Sequence, residues 1–252
     1  MVKITVCGAA GKMGKMIIDR VISDSATELA GAVEIKGNPA TGQPAGKIWI
    51  TDDFKTAIKN SDVIIDFTTP KATIEHIELC QAEKKAIVIG TTGLAENEIE
   101  KIKQASKDIS VVFAPNMSVG VNLLFKLAAE IAAAIPTYDV EIVEAHHNQK
   151  KDAPSGTALK LAEIIAEKLN LTKIYGRHGI TGPRKKEIGI HAVRAGDIVG
   201  EHTITFAGPG ERIEIIHRAH SRDPLAAGAV RAAKWLSGKN PGIYTMKDVL
   251  GL

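Results

Sequence analysis

The chain is short of cysteine, aromatic side chains and net charge, and each shortage removes a class of protein. Two cysteines in 252 residues, Cys7 and Cys80, make no CxxC pair and no disulfide framework, which argues against a stapled secreted domain and for a reducing compartment. With aromatics at 4% and a formal net charge of +3, the sequence offers few stacking platforms and no basic footprint for nucleic acid. No apolar run approaches the roughly 20 residues of a membrane span. The longest, residues 123–135, is broken by Lys126 and Glu130. The first residues, MVKITVCGAAG, show no basic leader before an apolar stretch and run directly into a strand-like pattern, so a cytoplasmic location is expected.

What remains is an ordinary globular composition, 44% hydrophobic and 24% charged, in a chain long enough for two modest domains. Residues 2–6 are β-rich and lead through glycines into Met13, Met16, Ile17 and Val21 at helical spacing, which reads as strand, turn, helix. Short apolar runs at 29–33, 63–67, 86–89 and 111–114 lack strict alternation and suit buried parallel strands. Helical patterns at 71–83 and 96–106 separate them, so the first part predicts a doubly wound α/β unit. After Pro115 the sequence predicts a helix at 121–135, a strand at 140–145 and a helix at 157–169. A Gly/Arg/Lys-rich loop (176–186) and β-like runs at 188–193, 202–206 and 212–217 follow, suggesting an α+β domain with a largely antiparallel sheet. A final helical pattern spans 225–236.

Gly8, Gly11 and Gly14 in GAAGKMG lie between the first strand and the first helix, where a dinucleotide fold presents backbone N–H groups to a pyrophosphate. The spacing is a variant of GxGxxG, with Ala10 where the second glycine would be, and Lys12 is available for a further phosphate contact. Glu34 stands where an acid ending the second strand would bind the adenosine ribose hydroxyls. A glycine turn without a ligand is the bland alternative, and strand, loop, helix and Glu34 together weigh against it. Basic residues near that acid favour a 2′-phosphate; here Ile35 is apolar and Lys36 basic, which leaves NADH and NADPH both open. Gly90-Thr91-Thr92-Gly93 and Ala114-Pro115-Asn116-Met117 end predicted strands at the same carboxyl edge and are candidate cofactor walls or simple turns.

The most specific chemistry is in EAHHNQKKDAPSGTA, residues 144–158, which follows a strand and opens a helix. Free N–H groups at that helix start, with the hydroxyls of Ser155 and Thr157, suit a carboxylate. His146, His147, Lys150 and Lys151 are placed to bind the same anion and to supply a proton. Adjacent histidines rarely converge on one ion and no HExxH or Cys/His spacing is present, so no metal is expected. A hydrolase built on Asp152, Ser155 and His146 would lack the G-x-S-x-G elbow. A solvated basic loop before a capped helix is the remaining alternative.

These segments, with IDFTTP at 65–70, APNMSVGVN at 114–122 and GEHTITFAGPGERIEIIHRA at 200–219, occur in the order found in the dihydrodipicolinate reductases, also called 4-hydroxy-tetrahydrodipicolinate reductases. The chain resembles that family nearly end to end. The resemblance implies a reductase of the diaminopimelate route to lysine, moving hydride from NADH or NADPH to the ring of a cyclic dicarboxylate, with loss of water. It implies His146 as the acid/base residue, Lys150 as proton donor, and His147, Gly156 and Thr157 as carboxylate ligands. Gly8, Ala9, Ala10, Gly11, Lys12, Met13, Glu34, Gly90, Thr91, Thr92, Ala114, Pro115, Asn116 and Met117 would line the cofactor, with Phe67 and Thr68 near the nicotinamide. Some members that accept NADPH well carry Arg where this chain has Ile35. The family pattern further implies a Rossmann-type nucleotide domain of residues 1–117 plus 225–252, an inserted α+β domain at 118–224 for substrate and oligomerisation, and a homotetramer. Two other readings stay open: a relative of aspartate or homoserine dehydrogenases acting on another small acid, and a non-catalytic dinucleotide sensor.

Overall fold

A computed structural model describes all residues, 1–252. In chain order it contains β1 (Val2–Cys7), α1 (Lys12–Ser23), β2 (Thr27–Val33), β3 (Pro44–Ala45), β4 (Ile48–Trp49), α2 (Phe54–Ala57), β5 (Val63–Asp66), α3 (Pro70–Ala82), β6 (Ala86–Ile89), α4 (Glu96–Ala105) and β7 (Ser110–Phe113). There follow α5 (Val119–Ala134), β8 (Asp139–His146), α6 (Gly156–Leu169), β9 (Thr172–Tyr175), β10 (Glu187–Arg194), β11 (Gly200–Gly208) and β12 (Glu211–Ala219). The chain closes with α7 (Asp223–Leu236), β13 (Gly242–Tyr244) and α8 (Met246–Leu250). Two compact units result, Met1–Val119 with Asp223–Leu252, and Gly120–Arg222. No helix is long and apolar enough to cross a membrane.

The first unit is a six-stranded sheet in the order β13-β7-β6-β5-β1-β2, parallel throughout. Its strands read as unbroken Val/Ile runs because alternate residues serve two different cores. Ile4, Val6, Val63, Ile65, Val88 and Val112 pack with Ile17 and Val21 of α1 and the alanines of α7. Ile64, Ile87, Ile89 and Val111 face the other way, onto Ile74 and Ile77 of α3 and Ile102 of α4. Each such side chain contributes about 1.5–3 kcal/mol when fully buried, so a doubly covered sheet is what this pattern selects. The chain steps outward from β1 to β2 and then crosses back to β5, which makes the carboxyl end of β1 and β5 the topological switch point. Strand β13 and helix α8 have no counterpart in the sequence reading: three residues pairing with β7 are too few to show a period.

In the second unit the sheet order is β12-β11-β8-β10-β9. Here the expectation of a largely antiparallel sheet needs correction. Strand β11 pairs antiparallel with β12 and β8, but β10 runs parallel to both β8 and β9. The reason is two return connections, α6 after β8 and residues 176–186 after β9, each taking the chain back to the end where the preceding strand began, so that β8, β9 and β10 run in the same direction. Strand β9, TKIY, was also not foreseen; four largely exposed residues give no burial pattern to read. Leu124 and Phe125 of α5 and Leu161 and Ile165 of α6 cover one sheet face, meeting Ile142, Ile190, Ile204 and Phe206.

Candidate functional site

Strand register aligns the carboxyl ends of the first sheet. Cys7 is paired with both Val33 and Asp66, Asp66 with Ile89, and Ile89 with Phe113. The residues that follow, Gly8, Glu34, Phe67, Gly90 and Ala114, therefore emerge along one edge. Gly8 has φ +75°, and a Cβ there would lie 2.6 Å from the Phe67 carbonyl oxygen. A Cβ on Gly14 would lie 2.0 Å from the Gly8 carbonyl oxygen, so α1 can start this close to the loop only as glycine. The N–H groups of Gly8 and Ala9 donate to Val33 O at 2.9 and 3.0 Å. The Ala10 N–H donates to Glu34 Oε1 at 2.7 Å, while Glu34 Oε2 accepts from Ile35 N–H and Asn38 Nδ2. Gly11 caps α1 without a side-chain acceptor. Lys12 is exposed and Met13 half-buried.

A cleft of about 530 Å³ opens at this edge, with Gly8, Glu34, Lys36, Thr68 and Lys71 in its wall. Gly90, Thr91, Thr92 and the 114–117 segment belong to the same edge but do not line this cleft. Thr91, Ala114 and Met117 are buried, Asn116 is half-buried, and Thr92 and Pro115 are exposed.

Asp66 ties this edge together, a role not read from the sequence. It is fully buried at the end of an apolar strand. Its Oδ1 accepts from the hydroxyls of Thr68 (2.6 Å), Thr91 (3.1 Å) and Thr73 (3.3 Å), and its Oδ2 meets His76 Nδ1 at 2.6 Å. The Thr68 N–H in turn donates to Thr91 Oγ1 at 3.0 Å. The signal was available: a carboxylate closing the run VIID has no reason to sit in a buried strand unless it is hydrogen-bonded. Cys7, Asp66 and His76 bring donor atoms within 4.8 Å of one another. Both Asp66 oxygens already have partners, and burial pushes the Cys7 thiol well up, so this group reads as a hydrogen-bonded floor and not as an ion site.

In the second unit, β8 delivers His146 at its carboxyl end and α6 begins ten residues later at Gly156. Ser155 caps that helix, its Oγ accepting from Ala158 N–H at 3.3 Å. The intervening loop is anchored by Asn148 N–H to Gly196 O and by Lys150 N–H to His147 O, both 3.1 Å. Lys150 Nζ lies 2.8 Å from Asp152 Oδ1. His147 and Thr157 are half-buried and Gly156 is exposed.

Behind His146 is a charge cluster that sequence reasoning passed over. Glu144, fully buried, contacts His146 Nδ1 through Oε2 at 2.6 Å. Arg194 donates to both Glu144 oxygens, at 2.9 and 2.8 Å, and Ser155 N–H donates to Oε1 at 2.9 Å. Burial pushes the Glu144 carboxyl up, but the bonds from Arg194, His146 and Ser155 outweigh it and hold the group below its ordinary value. His146 is pushed down by burial, with Lys150 and Arg194 acting in the same sense and Glu144 against. His202 stands 5.3 Å from the His146 ring, edge-on, with Nε2 3.1 Å from Ser155 Oγ. Burial pushes it down to about 4. Glu144 and His202 are directly paired across β8 and β11, which only strand register reveals. A larger cavity, about 660 Å³, sits at the β9 side of the sheet and contains none of these residues. Its arginines are already matched: Arg177 pairs with Glu141 and Glu187, Arg184 with Asp139 and Glu141.

Comparison with known proteins bears on both halves. Family models described as the dihydrodipicolinate reductase N-terminus and C-terminus match residues 2–117 and 120–250. Curated 4-hydroxy-tetrahydrodipicolinate reductases from Geotalea daltonii and Geobacter sulfurreducens are 51% and 50% identical over 266 aligned residues, covering all of both chains. The structure of a dipicolinate-bound dihydrodipicolinate reductase from Paenisporosarcina sp. TG-14 is similar with a TM-score of 0.83 at 29% identity, covering 97% of each chain. An amine dehydrogenase from Mycobacterium smegmatis, 12% identical with a TM-score of 0.63 over 97% of this chain and 95% of its own, shares the fold alone. The chain belongs to the dihydrodipicolinate reductase family.

Proposed function

We propose that this chain reduces 4-hydroxy-tetrahydrodipicolinate to tetrahydrodipicolinate, with loss of water, in the diaminopimelate route of lysine synthesis. The observation that carries the reading is His146, held by a buried carboxylate next to Lys150 and to the capped start of α6. On this reading His146 exchanges protons with the substrate and Lys150 donates one. His147, Gly156 and Thr157 bind a substrate carboxylate, where the α6 N–H groups favour negative charge.

The cofactor is a nicotinamide dinucleotide, and the residues of the glycine loop fit one. A Cβ would fill the cradle at Gly8 and Gly14, and no side chain caps α1. Gly8 to Met13 line the pyrophosphate, which meets the N–H groups that open α1 at Lys12 and Met13, those of Gly8, Ala9, Ala10 and Gly11 donating within the protein. Glu34 binds the ribose hydroxyls with the lone pairs that its present hydrogen bonds leave over, since an ionised carboxylate has about four acceptor sites. Gly90, Thr91, Thr92 and the segment Ala114, Pro115, Asn116, Met117 complete the wall, with Phe67 and Thr68 toward the nicotinamide. Bound there, the cofactor supplies the hydride. NADH is the preferred form: Ile35 is 75% exposed where a cation would grip a 2′-phosphate, and the cleft sets Glu34, Asp52 and Glu75 against Lys36 and Lys71.

The nucleotide thus belongs to the first unit and the substrate carboxylate to the second. The second unit also builds a homotetramer, supported by Val143, Val193 and Ile216, which are 41%, 43% and 45% exposed on the sheet face turned away from α5 and α6. Two buried free cysteines suit a cytoplasmic setting. The decisive experiment is the initial rate with NADH and with NADPH on the condensation product of aspartate semialdehyde and pyruvate. Turnover, faster with NADH, is expected; no oxidation of either cofactor with that mixture would redirect the assignment to another small acid.

A further inference from the structure

The acid/base residue and the carboxylate-binding helix lie on separate elements, β8 and α6, yet they meet at one buried group. Oε2 of Glu144 takes His146 Nδ1, and Oε1 takes the N–H of Ser155, the residue that caps α6. Arg194, paired across the sheet with His146, donates to both oxygens and also to Asp152 O in the loop between the two elements. We infer that Glu144 is a positioning residue that fixes both halves of the substrate site at once, one oxygen orienting the imidazole and the other the start of α6, with Arg194 bridging it to the loop between them. The inference rests on the reading of His146 as the acid/base residue.

Three observations support it. First, a fully buried carboxylate is costly unless matched, and here each oxygen has a charged and a second partner, which leaves little freedom to move. Second, the Nδ1 contact fixes which ring nitrogen is left for chemistry: Nε2, which faces Gly200, where a Cβ would stand 3.0 Å away. Third, the groups facing His146 are of opposed sign: Glu144 raises its proton affinity, while Arg194 from β10 and Lys150 from the loop lower it, with the neutral ring of His202 beside it on β11. Asp152 offsets the charge of Lys150. Burial lowers the His146 proton affinity first, and on top of it Glu144 raises it while Lys150 and Arg194 lower it.

That opposition makes the test signed. In Glu144→Gln, the His146 titration midpoint, followed by NMR of its Cε1 proton, should fall. The affinity for pyridine-2,6-dicarboxylate in the presence of NADH, and turnover, should each drop roughly tenfold to a hundredfold, while NADH affinity holds. In Arg194→Met the midpoint should instead rise and dicarboxylate affinity again fall. Glu144→Asp should recover neither, because the shorter chain cannot reach both elements. A midpoint and a dicarboxylate affinity unchanged in Glu144→Gln would overturn the inference, as would shifts of the same sign in both variants. If Glu144→Gln does not fold, the rise in Arg194→Met carries the test alone, and a fall or no change there overturns it. Failure of the underlying reading looks different: His146→Ala would keep normal turnover while Glu144→Gln still moved the His146 midpoint.

Discussion

The two units make their sites by opposite means. At the sheet edge of the first, recognition is prepared by backbone and by the absence of side chains: Gly8 and Gly14 leave the space, and register places Glu34, Gly8, Phe67, Gly90 and Ala114 in one line. In the second, the site is built on one buried charge, Glu144, in contact with half-buried His146 and Arg194, with neutral His202 against the helix cap. A glycine cradle tolerates exchange of neighbouring side chains and fails on added volume. A buried charge cluster keeps its shape under isosteric change and fails when one charge is removed.

The largest effect expected is at the two residues proposed to handle protons. Replacing His146 or Lys150 by Ala should lower turnover by about 10²–10⁴-fold with NADH binding intact, as stopped assays and fluorescence titration would show. Loss of NADH binding in these variants would erase the division of labour between the units. At the cradle, Gly14→Ala introduces volume against the Gly8 carbonyl and should cost about 1–3 kcal/mol in denaturant unfolding, together with most NADH affinity. A Gly14→Ala chain of normal stability and affinity would show that the loop relaxes and that shape is not what the first unit relies on.

Acid should expose the second unit more than the first. His202 sits at about 4 against an ordinary 6.5, so its neutral ring favours folding. That contribution is complete above about pH 6.5, is lost as pH falls toward 4, and amounts to at most about 3 kcal/mol. In His202→Gln, the difference in unfolding free energy between pH 7.5 and 4.5 should shrink by up to that amount; an unchanged difference would remove His202 as the acid-sensitive element. The smallest effect concerns cofactor choice. Ile35→Arg should raise kcat/KM for NADPH relative to NADH by about tenfold, the worth of one charge-assisted contact. A ratio that does not move would assign 2′-phosphate recognition to Lys36 or Lys71.

Much of the first unit was legible because two-sided burial writes itself as Val/Ile runs, and a strand, glycine loop and helix in sequence leave few alternatives. The helical stretches were legible from their spacing for the same reason. In the second unit most element types could be read, but not β9, whose four residues carry no burial pattern, nor the direction of β10, since the pattern of a strand does not say which way its neighbour runs. Among the site residues, those carrying recognisable chemistry stood out in a loop, whereas Asp66, Glu144, Arg194 and His202 did not. Each is charged or titratable in a strand or at its end, and its meaning depends on a neighbour 10 to 58 positions away: His76 for Asp66, Arg194 for Glu144, and Glu144 for His202.

Local sequence was enough for the parallel nucleotide-type sheet, the glycine loop with its acid, and the histidine-lysine segment before a capped helix, because these are patterns whose physics is contained in a few consecutive residues. Long-range packing sets the rest: Glu144 lies under His146 and α6 together, Asp66 gathers three hydroxyls, and the second sheet is mixed. Those are facts of register and burial: a carboxylate's charge can be tolerated without water only where distant segments bring it partners, and no single stretch of chain records which segments those are.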